Sequence, residues 1–258
     1  MTDLAKMRLV FLILFCMSVP VGSATIQAKE LIVGLGELDY PPFYYENNGT
    51  LQGAAVEIAQ HISGKLGHTL VYKRFPWSRV QYSLQRGDID MMILYFKTPE
   101  REKSTVFADF PHIFESSYLV VAKDSRISYE GNLQKLRSHK FGNVRGYSHG
   151  KEYDGANFLD RQAVDNEILL LRMLVGARLD IAVGNKPVIL GYAKQENLQD
   201  KIKFLSPTID KGANYFAFSR ARQDASELAK EFSNEVDKFR HTAAYKNILI
   251  KFDFDVSD

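Results

Sequence analysis

Hydrophobic residues recur along this chain with the spacing of alternating strands and helices. Leu31-Ile32-Val33-Gly34-Leu35 is an apolar run of strand length, and Tyr40-Pro41-Pro42-Phe43 breaks it into a loop. Asn47-Asn48-Gly49 is a turn signal. Ala55, Ile58, Ala59, Ile62 and Leu66 then share one helical face, with Gly67 where a C-terminal cap belongs. Leu70-Val71-Tyr72 predicts a second strand. Pro76 opens a short helix with Val80 and Leu84 facing inward, Gly87 ends it, and residues 89–94 form another apolar strand. This alternation predicts a parallel sheet with crossover helices.

Residues 118–122 (YLVVA) read as a strand that leaves this unit. A second α/β stretch follows. Phe141-Gly142-Asn143-Val144 is a short strand, and Arg145-Gly146-Tyr147-Ser148 turns into a helix. Ile168, Leu171 and Val175 lie on one helical face, stopped by Gly176; residues 180–183 are a strand and 187–195 a helix. Residues 215–218 (YFAF) form another apolar strand. Asp224 with Glu227 reads as a capping box on the last long helix, whose inner face is Leu228, Phe232, Val236 and Phe239. Two α/β units joined by at least two strands predict a hinge, with a cleft between lobes where a small ligand would sit.

The first 24 residues form no part of this pattern. Lys6 and Arg8 precede the apolar run LVFLILFCM, and Gly22-Ser23-Ala24 fits a small-x-small cleavage site. This is the layout of a cleaved secretory signal peptide, and the run is shorter than the roughly 20 residues of a membrane span. Cleavage would remove Cys16, the only cysteine, and with it any disulfide, cysteine nucleophile or thiolate metal site. Of the 258 residues, 33 are Lys or Arg and 31 Asp or Glu, a net charge of +2. That balance argues against a dedicated nucleic-acid binder.

Enzyme signatures are absent from the sequence: no HExxH, no paired histidines at metal spacing, no GxSxG, no Walker A loop, and no GxGxxG between a strand and a helix. No metal or cofactor is expected. The remaining candidates are polar and aromatic residues at strand ends and loops, where α/β folds place ligands. Tyr40 and Phe43 follow the first strand, Trp77 starts the helix after the second, and Thr98 and Arg101 follow the third. Arg145, Tyr147 and Ser148 stand at the mouth of the second unit. Arg101 is suited to a bidentate carboxylate clamp, and equally to a surface ion pair with Glu100 or Glu102.

The segments GLGELDYPPFYYENNGTLQGAAVEIAQHI, FPWSRVQYSLQRGDIDMMILYFKTPERE and FADFPHIFESSYLVVAKD resemble the family 3 extracellular solute-binding proteins, periplasmic receptors of polar amino-acid ABC transporters. The most specific parts are Tyr40-Pro41-Pro42-Phe43, Gly53, Gly87-Asp88-Ile89-Asp90 and Thr98-Pro99-Glu100-Arg101. The resemblance runs from about Leu31 to Phe252. It implies an α/β, two-lobe periplasmic binding protein fold of type II, each lobe a mostly parallel sheet flanked by helices, joined by two hinge strands. One lobe would take residues 29–120 plus 212–258 and the other 123–208. Tyr40 would stack on the ligand, Arg101 would pair with an α-carboxylate, and Tyr147 or Ser148 would add carboxylate contacts. Trp77 would be a pocket wall or a core wedge, and Tyr95 and Phe96 fall near positions that often carry small hydroxyl residues.

One position departs from the family pattern. Where amino-acid receptors usually carry an acidic residue for the α-ammonium, this chain has Asn185, beside Lys186, unless the alignment slips. Glu37 or Asp39 would then compensate from the first lobe. The resemblance thus implies a non-enzymatic periplasmic protein, a monomer, that binds a small polar, carboxylate-bearing solute in its cleft: an amino acid or, given Asn185, a modified amino acid, a peptide-like molecule or another small anion. It would deliver that solute to an inner-membrane ABC permease. Two alternatives stay open: a dehydratase-like enzyme on this scaffold, with Glu37, Asp39 and Glu57 as candidate acids, and a sensing module that docks on a membrane receptor.

Overall fold

The computed structural model describes residues 28–254. The signal peptide read over residues 1–24 lies outside them. Among the described residues no helix is long and apolar enough to cross a membrane.

In chain order the first lobe builds β1 (Glu30–Gly36), a small hairpin β2–β3 (Tyr45–Asn47, Thr50–Gln52), α1 (Ala54–Lys65), β4 (Thr69–Phe75), α2 (Trp77–Arg86), β5 (Met91–Phe96), a one-turn helix α3 (Pro99–Glu102) and β6 (Thr105–Phe107). The long strand β7 (Ile113–Ala122) leads to β8 (Lys140–Val144), α4 (Lys151–Asp154), β9 (Asp160–Val164), α5 (Glu167–Val175), β10 (Ile181–Asn185), α6 (Lys186–Gln195) and β11 (Ile202–Phe204). The chain returns through β12 (Asp210–Ser219) and closes with α7 (Ala225–Phe239) and α8 (Ala243–Lys251).

The strands join in one curled sheet of order β4-β1-β5-β12-β7-β10-β8-β9, with β6 beside β12 and β11 beside β7. β1 is parallel to β4 and β5, and β8 to β9 and β10, as helical crossovers require. β5 is buried at every position, which matches its continuous apolar sequence. The two halves meet at an antiparallel pair. β12 pairs with β5 through residues 214–218 and with β7 through residues 210–214, and β7 pairs with β10 from Ser117 onward. These two ten-residue strands carry the chain between the lobes.

Several of the most specific sequence positions have structural explanations. Gly53 has φ 131°, and a Cβ there would lie 2.3 Å from the Phe43 carbonyl oxygen. Only glycine fits where α1 starts against the Tyr40–Phe43 turn. Gly87, at φ 82°, ends α2 in the left-handed conformation. The Asp90 carboxylate accepts the Ile32 amide at 2.6 Å and pairs with Arg222, which ties β1 and the end of β5's lead-in to the returning chain.

The inner face of α7 is the expected one, with Phe232 edge-on to Phe216 and Phe218 at 5.2 and 5.1 Å. Its cap differs from the expected box. Asp224 makes no side-chain cap bond and instead holds Arg222 at 2.9 Å and Lys29 at 3.1 Å. A shorter helix of nine residues follows α7. Thr242 accepts the Tyr245 amide and starts α8, whose weak apolar periodicity leaves only Leu249 buried.

Candidate functional site

The Tyr40-Pro41-Pro42-Phe43 turn sends its two aromatic ends to opposite sides. Phe43 is buried against Phe254, 5.2 Å between ring centroids, so it supports the turn from the core. Tyr40 lines a cavity between the lobes. Its ring stands edge-on to Tyr147 of the second lobe at 5.9 Å, and Trp77 meets the same Tyr147 at 5.4 Å. Tyr147 is thus wedged between two first-lobe aromatics, a favoured geometry for ring quadrupoles. Its hydroxyl donates to Glu167 at 2.9 Å, at the start of α5. Burial holds the Tyr40 and Tyr147 hydroxyls well above the usual tyrosine range, so both stay neutral.

The short α3 aims Arg101. Thr98 caps it, its hydroxyl oxygen accepting the Arg101 amide at 3.3 Å, and Pro99 occupies the first turn. The guanidinium lies 4.0 Å above the Tyr95 ring. It donates to the Phe96 carbonyl at 2.8 Å in its own lobe and to the Gly146 carbonyl at 2.9 Å in the other. No ion pair with Glu100 or Glu102 forms, since those carboxylates take Lys103 and Lys97. Trp77 Nε1 and Gln81 Nε2 also donate to the Gly146 carbonyl, each at 3.2 Å. One backbone oxygen of the second lobe therefore receives three side chains of the first.

The cavity holds about 40 Å³, room for a few waters, and is lined by Tyr40, Trp77, Arg101, Tyr147 and Ser148 together with Tyr44, Leu94, Phe96, Glu115 and Asn214. It adjoins a second recess lined by Glu37, Asp39 and Glu167. Glu115, on β7, is the group the sequence left unremarked. Its carboxylate accepts the Tyr40 hydroxyl at 2.5 Å and the Asn214 side-chain amide at 3.2 Å. Burial raises its pKa to about 7, only partly offset by those two hydrogen bonds. Burial likewise raises Glu167.

Five sequence candidates lie off this cavity. Phe43 is core. Tyr95 lies beneath the guanidinium and accepts from Gln81 at 3.1 Å. Thr98 is the α3 cap. Arg145 faces outward and meets Asp165 at 3.5 Å. Asn185 caps α6, accepting the Val188 amide at 3.3 Å and donating to the Ser116 carbonyl at 3.4 Å. Of the candidate acids, Glu57 pairs with Lys251 on the outside of α1, and Asp39 pairs with Arg74 at 2.8 Å. Glu115 and Glu167 gave no motif to read, because a lone glutamate in a strand or at a helix start is ordinary. Among the described residues no group of three or more His, Cys, Asp or Glu is placed to hold a metal.

A mixed sheet split into two lobes by a hinge pair, with a polar and aromatic cleft at the seam, is the architecture of a two-lobe solute-binding protein. The chain belongs to the bacterial extracellular solute-binding proteins, family 3, whose family model it matches over residues 31–255. It is similar to the probable amino-acid-binding protein YxeM of Bacillus subtilis (strain 168), with 23% identity over 90% of this chain and 88% of that protein. Among solved structures it is similar to an ancestral arginine-binding protein bound to glutamine. That likeness has a TM-score of 0.70 and 28% identity, over 86% of this chain and 97% of that one. It also shares the fold of a histidine kinase sensor domain with similarity to periplasmic binding proteins. There the TM-score is 0.73 at 24% identity, over 86% of this chain and 95% of that one.

Proposed function

We propose that this protein is an exported, periplasmic receptor. It captures one small carboxylate-bearing solute, an amino acid or a close relative, between its lobes, and delivers it as a monomer to an inner-membrane ABC permease. The observation that carries this reading is Arg101, whose guanidinium reaches across the cleft and rests on the carbonyl oxygens of Phe96 and Gly146. Carbonyl oxygens stand here where carboxylate oxygens would compete, because a charged acceptor forms the stronger bond to guanidinium. The family membership and the amino-acid-binding relatives favour the same ligand class.

The division into residues 29–120 plus 212–258 and 123–208 is proposed to be the working one, with β7 and β12 as the hinge. Tyr40, Trp77 and Arg101 would contact the solute from one lobe, and Tyr147 and Ser148 from the other. Contacts made to both lobes at once would draw the lobes together, since only differential affinity for the closed state shifts that equilibrium. The protein would bind and release its solute unchanged. Titration calorimetry against the twenty protein L-amino acids and a set of small anions tests this. A micromolar or tighter complex with one of them is expected, and absence of any binding would sink the proposal.

A further inference from the structure

We propose that Glu115 is the acceptor for a cationic group of the ligand, so that Arg101 and Glu115 together make the cleft a site for a zwitterion. The inference rests on the reading of the cleft as an amino-acid site. In that reading the carboxylate end has a partner but the ammonium end has none at the expected place. Asn185 is spent as a helix cap and lies off the cavity. Glu115 lines the same cavity as Arg101 from the opposite source, the hinge strand β7, where it sits across from Gly212 of β12.

Its surroundings suit a countercharge. The two groups bonded to its carboxylate, the Tyr40 hydroxyl and the Asn214 amide, are neutral donors. Arg101 is engaged by carbonyl oxygens rather than by Glu115. Tyr44 and Tyr147 line the same cavity and are held neutral by burial. Of the charged groups that act on it, Arg101 favours its charged form, and the negative charge of Glu167 would oppose a second one. A buried carboxyl so placed sits near half-protonation at neutral pH, with a pKa of about 7. An ammonium brought beside it favours the charged form and expels the proton. The affinity for a zwitterion should therefore rise with pH between about 6 and 8, and binding at pH 7 should release a proton.

The test uses the full mature protein, the tightest L-amino acid from the calorimetric screen, and that amino acid's α-hydroxy-acid analogue, in which a hydroxyl replaces the ammonium. The wild type is expected to prefer the amino acid, and Glu115→Gln to reduce that preference by roughly a hundredfold. Glu115→Asp should restore part of the preference. Titrations of the wild type at pH 7 in two buffers of different ionisation enthalpy read the proton directly, so the idea stays exposed even if the variants do not fold. Unchanged preference in folded Glu115→Gln, or no proton released by the wild type, would overturn the assignment while leaving the receptor reading intact. No binding by the wild type would remove both.

Discussion

The Arg101 guanidinium and the Gly146 carbonyl oxygen meet at 2.9 Å across the cleft, and the indole of Trp77 donates to that same oxygen. In the proposed function this cross-cleft contact and the ligand clamp would share one side chain. Removing it should act on both. Arg101→Ala is expected to weaken binding of a carboxylate ligand by about 2–4 kcal/mol, since a buried charged partner is lost. Arg101→Lys should recover only part of this, because a lysine cannot reproduce the two-pronged geometry. Calorimetry decides; an unchanged dissociation constant for Arg101→Ala would refute the role.

Trp77 is the only tryptophan in the chain and stands in the cleft against Tyr147 and Gly146. Its fluorescence should therefore report the state of the seam. Ligand addition is expected to change its emission in the wild type. Arg101→Ala, which loosens the Gly146 contact, should shift unliganded emission to the red as the indole meets water. Identical spectra for both proteins would show that this contact does not hold the lobes together.

Asn185 holds the start of α6 and lies off the cavity. Asn185→Asp keeps a good cap and should change ligand affinity by less than about threefold. Asn185→Ala should cost about 1 kcal/mol of unfolding free energy in urea titrations through the lost cap, again with little effect on binding. A tenfold change in affinity for Asn185→Asp would put this residue back in the site.

Two glycines should respond with opposite signs. Gly53→Ala places a Cβ 2.3 Å from the Phe43 carbonyl oxygen at φ 131°, so a loss of roughly 2 kcal/mol or more is expected. Gly64, inside α1 with open space around a built Cβ, should gain about 0.5–1 kcal/mol as alanine. Urea midpoints of the two variants check both signs.

Glu115 also sets a pH dependence of folding. Its pKa is raised from 4.5 to about 7 in the fold, so the stability it contributes is full below about pH 4.5 and is lost as pH rises through 7. For a shift of this size the loss in the unliganded protein is on the order of 3 kcal/mol. Glu115→Gln should therefore be more stable than the wild type at pH 8, with the gap closing by pH 5. The buried histidines His112 and His149, lowered to about 3 and about 4, act in the opposite sense below pH 6.5 in both proteins, so the difference between variants isolates Glu115. Equal stabilities at pH 8 would contradict the buried state of this carboxyl.

Local periodicity by itself determined most of the elements: the 3.6-residue spacing of α1, α5 and α7, the apolar runs of β1, β5 and β12, and the glycines that stop α1, α2 and α5 are short-range constraints that any fold of this chain must respect. α8 escaped because its pattern is weak and its tie to the body is tertiary. The candidate site was legible where a motif bends the backbone, as at Tyr40, Trp77 and Arg101 with their proline-marked turns. It was not legible where strand pairing alone brings residues together. Glu115 and Asn214 are 99 positions apart in sequence and become neighbours only because β7 and β12 pair in antiparallel register. Burial there decides the charge of Glu115, and burial is a property of the assembled lobes that no window of sequence contains.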